Sequence, residues 1–277
     1  MSGSNDVHFR VTPGGQLSGR LRVPGDKSIS HRSIMLGSLA EGRTDVSGFL
    51  EGEDSLATLS AFRAMGVQID GPHDGGVHIE GVGLHGLQQP DGHLYLGNSG
   101  TSMRLMSGLL AGQAFSTTLT GDVSLSGRPM KRVTAPLTSM GANIDATAEG
   151  TAPLLIHGGA MLEGIQYHMP VASAQVKSSL LLAGLYAAGQ TCVTEPAPTR
   201  DHTERMLSGM GYPLQRDGAR VCLEGGHRLQ GISIDVPADI SSAAFFLVGA
   251  TIAPGSNLLL EHVGMNPTRT GVIDILQ

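Results

Sequence analysis

Val23-Pro24-Gly25-Asp26-Lys27-Ser28-Ile29-Ser30-His31-Arg32 sets a chain break, a helix start and two fixed cations within one short stretch. Pro24-Gly25 ends any strand that precedes it, and Asp26, Ser28 or Ser30 can cap a helix whose apolar body runs from Ile34-Met35-Leu36 to Leu39-Ala40. Unpaired backbone N–H groups, the positive end of the helix dipole, the Lys27 ammonium and the Arg32 guanidinium would then face one space, which describes an anion site. By itself such a segment also fits an ordinary solvated helix start. The rest of the chain decides between the two.

The pattern recurs. Gly25-Asp26-Lys27-Ser28, Gly97-Asn98-Ser99-Gly100, Ala172-Ser173-Ala174-Gln175 and Ala238-Asp239-Ile240-Ser241 each put a small residue and a capping residue before an apolar helix, with the caps Asp26, Asn98, Ser173 and Asp239 spaced by 72, 75 and 66 residues. The segments Met103–Gly112, Ser179–Gly189 and Ala243–Ala253 are apolar nearly all round, which predicts buried helices rather than surface ones. Strands are expected after them at Thr44–Phe49, Ser116–Thr120, Thr191–Thr194 and Asn257–Glu261. An amphipathic second helix ending in Met-Gly follows at Ser55–Gly66, Pro129–Gly141 and His202–Gly211, with the Met-Gly pairs 75 and 70 residues apart. Then come two short strands: Val67–Ile69 and Gly76–Ile79, Ala142–Ile144 and Leu154–Ile156, Tyr212–Leu214 and Arg220–Leu223. The repeating unit therefore reads strand, buried helix, strand, outer helix and two strands, a self-similarity that outranks any single motif. Upstream, Val7–Val11 and Leu17–Val23 read as strands around a Thr12-Pro13-Gly14-Gly15-Gln16 turn. A fourth unit opens at Ala238-Asp239 and begins its outer helix at Thr268–Leu276, and the sequence stops before its Met-Gly. The expectation is a polypeptide that is one piece of a longer protein, with poorly covered apolar faces on its last helix and strand.

Composition narrows the classes. The chain has 277 residues, room for one large or two ordinary domains, and its net charge of -6 with only 18 Lys and Arg argues against nucleic acid as the main partner. Glycine is abundant at 40, with 6 Phe, 4 Tyr and no Trp, which suits elements packed backbone to backbone. Cys192 and Cys222 lie in apolar strand-like runs without CxxC spacing, so buried thiols are expected rather than a disulfide or a metal pair. The start Met1-Ser2-Gly3-Ser4-Asn5 has no apolar signal core, no run is long enough to cross a bilayer, and the chain reads as cytoplasmic with no membrane partner.

Nucleophile, metal and nucleotide motifs fail: there is no GxSxG and no HExxH, the eleven His are scattered, and Lys27-Ser28 lacks the spacing of a phosphate-binding P-loop. What remains is a set of helix mouths. They hold Lys27, Ser28 and Arg32; Asn98, Gly100, Thr101 and Arg104; and Ser173, Gln175 and Lys177, with Arg128, Lys131, Arg132 and Arg200 beside outer helices. If the repeats stack about an axis, these mouths converge on a pocket for a small multiply anionic ligand.

The segments Pro24-Gly25-Asp26-Lys27-Ser28-Ile29-Ser30-His31-Arg32, Leu96-Gly97-Asn98-Ser99-Gly100-Thr101-Ser102-Met103-Arg104, Ser126-Gly127-Arg128-Pro129-Met130 and Ala172-Ser173-Ala174-Gln175-Val176-Lys177, in this order and spacing, closely resemble the 5-enolpyruvylshikimate-3-phosphate synthases, over 7–277 and over the N-terminal portion of that family's longer chain. The resemblance implies an inside-out α/β barrel of βαβαββ repeats, with buried helices surrounded by sheets. It implies a complete three-repeat domain over 22–235, and a partial second domain made of 1–21 and 236–277. It implies transfer of the enolpyruvyl group of phosphoenolpyruvate to the 5-hydroxyl of shikimate 3-phosphate, releasing phosphate, with no metal or organic cofactor. By position, Lys27 resembles the lysine that contacts both substrates and helps the proton transfers. Ser28 and Arg32 resemble the groups holding the shikimate ring and carboxylate. Asn98, Gly100 and Arg128 resemble the phosphoenolpyruvate site, and Ser173, Ala174, Gln175 and Arg200 the 3-phosphate site. The family's acidic base and further cations lie in later repeats, so this chain alone is expected to be inactive without a complementary C-terminal segment. Ser173-Ala174-Gln175 resembles a subgroup often tolerant of glyphosate, while Gly100 lacks the methyl found in some tolerant members; the intact enzyme is expected to be inhibited. The sister transferase acting on a UDP-aminosugar fits less well, because the shikimate-site positions match and no Cys lies in a loop. A non-catalytic anion-binding module is the alternative of another class.

Overall fold

Three helices that touch almost no solvent organise the chain. The computed structural model describes residues 10, 12 and 14–277, so the strand expected at 7–11, save residue 10, lies outside the described residues. Strand β1 (Ser18–Leu21) precedes helix α1 (Lys27–Leu39), in which every residue from 30 to 39 is buried. Asp26, in extended backbone, caps α1 by accepting from the Ile29 N–H at 2.9 Å. After α1 come β2 (Glu41–Ser47), outer helix α2 (Glu53–Ala64), β3 (Gln68–His73) and β4 (Gly76–Val82). The second unit holds β5 (Leu94–Tyr95), buried helix α3 (Gly100–Ala111), β6 (Thr117–Thr120), a short α4 (Val123–Ser126), outer helix α5 (Lys131–Ser139), β7 (Ile144–Asp145) and β8 (Leu154–Ile156). The third holds β9 (Gln166–His168), buried helix α6 (Ala174–Gly184), β10 (Gln190–Thr194), outer helix α7 (His202–Gly209), β11 (Gln215–Asp217) and β12 (Arg220–Glu224). Then follow β13 (Ser233–Asp235), α8 (Ile240–Ile252), β14 (Asn257–Leu260) and α9 (Gly271–Leu276).

The sheets repeat one topology around these helices. In β5-β6-β8-β7 and β9-β10-β12-β11 the first pair is parallel and the other two antiparallel. The sheet β13-β2-β4-β3 copies this pattern, but its first strand comes from the far end of the third unit rather than from the segment before α1. The sequence reading took Leu17–Val23 as a strand, and the resemblance grouped 1–21 with 236–277. In the structure β1 pairs in parallel with β14, from Ser18 against Asn257 to Leu21 against Leu260. One large apolar cluster, from Ile34 to Val236, fills the space between buried helices and sheets; a small second cluster is formed by Val23, Ala238 and Ala243. The fold is α/β, with helices inside and sheets outside.

The Met-Gly pairs mark where outer helices stop. Met65, Met140 and Met210 close α2, α5 and α7 with almost fully buried side chains, and Gly66, Gly141 and Gly211 take φ of 86°, 96° and 81°, the left-handed backbone that ends a helix and that a Cβ would resist.

Other expectations need correction. Ser99, not Asn98, caps α3 by accepting from the Ser102 N–H, since one more residue of turn precedes the helix. The first of the two short strands expected after the third outer helix, Tyr212–Leu214, is displaced to β11, because Tyr212 turns inward, 2 % exposed, with its hydroxyl donating to the Glu224 carbonyl. Helix α8 is apolar all round, as read, but the burial predicted from that does not hold: it buries only Ile240 and Ala243, and Phe245 is 81 % exposed. Cys192 and Cys222 are joined as a disulfide rather than left as thiols. The antiparallel register of β10 and β12 makes them direct cross-strand partners, with Cα atoms 4.1 Å apart, a proximity that a separation of 30 residues conceals in the sequence.

Candidate anion-binding site

The three buried helices present their N-terminal ends to one side and are laced together there by side chains. His31 Nδ1 of α1 lies 2.8 Å from Thr58 Oγ1 of α2, which is 2.6 Å from Ser102 Oγ of α3. Arg32 of α1 donates from Nη2 to Ser178 Oγ of α6 at 2.8 Å and from Nε to Thr203 Oγ1 of α7 at 2.7 Å. Gln175 of α6 accepts from Arg104 Nη1 of α3 at 2.8 Å and donates to Thr101 Oγ1 at 3.0 Å. These bonds satisfy buried polar groups, fix the angles between the helices and leave their first-turn N–H groups on a common rim.

Around the rim stand the residues singled out from the sequence. Lys27 opens α1, about half exposed, with its ammonium ion-paired to Asp54 of α2. Ser28 Oγ accepts from Arg200 Nη1 at 3.0 Å, bringing the loop before α7 over the mouth of α1. Asn98 is exposed beside the mouth of α3; its amide donates to Asp122 Oδ2 at 2.7 Å and its carbonyl accepts from Arg128, which also reaches Ser124 Oγ at 3.3 Å. Gly100 is the first residue of α3, and a Cβ built on it would meet the guanidinium ends of Arg104 at 2.9 Å and Arg128 at 3.0 Å. Ser173 caps α6 by accepting from the Val176 N–H at 3.4 Å, and Ala174 begins that helix. One expected rim residue is closed off: Arg32 is 4 % exposed, and besides Thr203 and Ser178 it donates from Nη1 to the Ser28 carbonyl at 2.9 Å.

Lys177, placed by its position in sequence among the mouth cations, is 1 % exposed and faces inward. Its ammonium lies 2.9 Å from Glu195 Oε2 and 2.6 Å from Glu204 Oε1. One turn along α6 from Ser173 points a side chain at α7, not at the rim. Asp54, Ser178 and Thr203 were not singled out from the sequence. Their signal is weak, because each is an ordinary polar residue on a helix until the fold sets a cation beside it.

Crowded positive charge is written into the electrostatics. Burial first, then the nearby Arg128 and Arg132 charges, hold the Arg104 pKa below its usual value. Burial and then the Arg269 charge do the same for Arg200, partly opposed by Asp26 and Asp239. Arg32 is pushed down to about 10, chiefly by burial and then by Arg200, so it remains a cation at neutral pH. Cations whose protons are loosened by each other are stabilised by an anion placed among them. Burial, with Lys27 and Arg32, drives His31 down to about 3, so it is a neutral imidazole inside this positive ring. Among the described residues there is no group of three or more His, Cys, Asp and Glu arranged to hold a metal ion, and no helix long and apolar enough to cross a membrane. The arrangement can bind two or three anionic groups of one or two small molecules and hold them by bidentate guanidinium contacts and helix-mouth N–H donors.

Comparison with known proteins agrees with this chemistry. Residues 11–277 match the family model of EPSP synthase (3-phosphoshikimate 1-carboxyvinyltransferase). The chain is 73% identical over 271 residues to the 3-phosphoshikimate 1-carboxyvinyltransferase of Alkalilimnicola ehrlichii, covering 98% of this chain and 61% of that protein. It is 71% identical over 272 residues to that of Methylococcus capsulatus, covering 98% and 62%. Its fold superposes on the EPSP synthase from Acinetobacter baumannii with a TM-score of 0.90 and 61% sequence identity, over 95% of this chain and 60% of that one. The chain thus spans about three fifths of the length of the relatives it matches.

Proposed function

The chain belongs to the EPSP synthase family, and from that we propose that it supplies one wall of a 3-phosphoshikimate 1-carboxyvinyltransferase site, binding shikimate 3-phosphate and phosphoenolpyruvate. The observation that carries the reading is the convergence of Lys27, Ser28, Arg104, Arg128, Gln175 and Arg200 on the N-terminal ends of α1, α3 and α6. Both substrates carry a carboxylate and a phosphate, so together they need four anionic subsites, and the rim offers cations on opposite sides. Arg200 with Ser28 and Ser173 takes the 3-phosphate. Arg128 and Asn98, beside Gly100 at the mouth of α3, take phosphoenolpyruvate. Gln175 stands between the two ligands. Arg32, buried under Ser28, acts on the shikimate carboxylate through Ser28 and through its charge.

In this reading a proton adds to the methylene carbon of phosphoenolpyruvate while the 5-hydroxyl oxygen adds to its neighbouring carbon and gives its own proton to a base. The methyl carbon then returns a proton as the bond to phosphate oxygen breaks. Lys27, poised by Asp54 at the edge of the rim, is the proton-carrying group this chain provides. The fixed guanidinium groups hold the charge of the departing phosphate. The base and the facing wall come from the part of the relatives beyond the match, as a complementary segment. We further infer that residues 22–235 act as a three-repeat domain, and 1–21 with 236–277 as part of a second. The pairing of β1 with β14, apart from the three four-stranded sheets, supports that division. The setting is the cytoplasm, and glyphosate, with its carboxylate and phosphonate, competes at the phosphoenolpyruvate subsite.

Calorimetric titration of shikimate 3-phosphate onto this chain tests the binding half, with Arg200→Ala expected to weaken it by about tenfold or more. Phosphate release from phosphoenolpyruvate and shikimate 3-phosphate, measured after mixing with a separately produced segment matching the remainder of a relative, tests the chemistry. No binding at millimolar ligand together with no turnover on mixing would sink the reading.

A further inference from the structure

Lys177, Glu195 and Glu204 form a buried ionic triad that the binding chemistry above does not use. All three side chains are at most 5% exposed, and each comes from a different element: Lys177 from α6, Glu195 from the loop after β10, Glu204 from α7. Taking three charges out of water is costly, and packed apolar residues of the same volume would serve stability at least as well. What the triad supplies instead is geometry, because ammonium–carboxylate bonds are directional and fix three segments at once.

Each segment carries part of the rim. Lys177 lies two residues beyond Gln175 and one before Ser178, the acceptor of Arg32. Glu204 follows Thr203, which accepts from Arg32 and itself donates to Ser178 at 2.7 Å. Glu195 anchors the loop that holds Arg200: its Oε2 accepts from Thr199 Oγ1 at 2.5 Å as well as from Lys177. Residues 196–198 between those anchors are exposed, and beyond Arg200 the buried Asp201 accepts from Arg205, Arg216 and Asn266, so Thr199 is the upstream tether of the loop that sets Arg200 against Ser28.

We propose that Lys177, Glu195 and Glu204 are positioning residues, acting through Thr199 to hold the Arg200 guanidinium over the mouth of α1 and so tuning affinity for the phosphate-bearing ligand. The identity of that ligand rests on the functional reading above; the mechanical role does not. The decisive variants spare the fold. Thr199→Val cuts the link from triad to loop at a half-buried position, Thr199→Ser keeps the hydroxyl, and Glu195→Met leaves Lys177 neutralised one to one by Glu204. Backbone 15N order parameters at Ala197, Thr199 and Arg200 should fall from the rigid range of ~0.85 toward ~0.6 in Thr199→Val and Glu195→Met, and stay at the parent value in Thr199→Ser. Affinity for shikimate 3-phosphate should fall roughly three- to tenfold in the first two and recover in the third, with unfolding midpoints of the Thr199 variants unchanged. Order parameters at Ala197, Thr199 and Arg200 equal to the parent's in both disrupting variants overturn the positioning role, as does a loss of affinity that Thr199→Ser fails to restore. If the parent chain binds no shikimate 3-phosphate, the functional reading fails and the order-parameter result alone decides this one.

Discussion

Arg104 Nη1 donates to Gln175 Oε1 across 2.8 Å, joining the mouth of α3 to the mouth of α6 through a neutral amide. The same amide donates on to Thr101 Oγ1, so Gln175 is oriented by α3 although it grows from α6. An uncharged bridge keeps the guanidinium fixed without neutralising it, and that leaves its charge for a ligand.

Gln175→Glu therefore tests the charge rather than the bond. The carboxylate would still accept from Arg104, but the resulting ion pair would cancel one of the few positive charges on the rim and repel an incoming phosphate. Affinity for shikimate 3-phosphate is expected to drop by about tenfold or more, with the effect shrinking as salt is raised. Equal affinity in parent and variant at low salt would show that Gln175 does not border the bound anion.

Gly100→Ala places a methyl group 2.9 Å from Arg104 Nη1 and 3.0 Å from Arg128 Nη1. Both contacts are with the free ends of long side chains, which can swing aside, so the unfolding free energy should change by no more than ~0.5 kcal/mol. The swing moves both guanidinium groups into the space where a carboxylate and a phosphonate would lie. Glyphosate inhibition of the completed enzyme should weaken more than phosphoenolpyruvate use, since the inhibitor has less room to shift. An unchanged inhibition constant counts against this crowding.

His31 and His202 make the fold acid-sensitive. In the unfolded chain an imidazole titrates near 6.5; folded, His31 is pushed to about 3, mainly by burial and then by Lys27 and Arg32, and His202 to about 4, mainly by burial, which Asp26 and Asp201 oppose and Arg32 and Arg200 reinforce. Between those values the unfolded state takes the proton that the folded state refuses, so stability falls as pH drops below 6.5. Above 6.5 both states are neutral there and neither residue adds pH dependence. Each imidazole should cost roughly 2 kcal/mol between pH 6.5 and about 5. Urea unfolding across that range checks it: His31→Gln should shed about half of the slope, and an unaltered slope would mean the acid sensitivity lies elsewhere.

Much of the fold could be read from punctuation. Asp26, Ser173 and Asp239 cap the helices they were expected to cap, because a short polar side chain before an apolar run has few other uses. The Met-Gly pairs marked helix ends for the same reason: glycine alone enters left-handed backbone at no cost. What could not be read was pairing at a distance. That β13 completes the first sheet, that Cys192 faces Cys222, and that Lys177 turns inward to two carboxylates from later in the chain all depend on register and on which way a helix faces. None of these leaves a local trace. The rim cations were visible as residue types at helix starts, but the sequence could not separate Arg104, which faces the rim, from Arg32, which lies beneath it.

Gly108 joins that sequence signal to the packing it serves. In a helix interior, glycine to alanine ordinarily stabilises by up to ~1 kcal/mol, because the unfolded chain loses freedom. At Gly108 in α3 the sign should reverse. An added Cβ would lie 2.0 Å from the carbonyl oxygen of Ser179 in α6 and 2.7 Å from its carbonyl carbon and its Oγ, and a helix backbone has no rotamer by which to retreat. Relief would require α3 and α6 to separate, opening the apolar cluster between them and disturbing the Arg104–Gln175 bond at their ends. Gly108→Ala is therefore expected to destabilise by at least ~2 kcal/mol, a fall of roughly 4 °C or more in the unfolding midpoint for a chain of this size. Gly209→Ala, at the end of α7 with nothing within 4 Å of the new methyl group, is the matched control and should leave the midpoint unchanged or raise it. Scanning calorimetry on the two variants separates helix propensity from close approach. Equal midpoints would mean that α3 and α6 do not cross at Gly108 as closely as described.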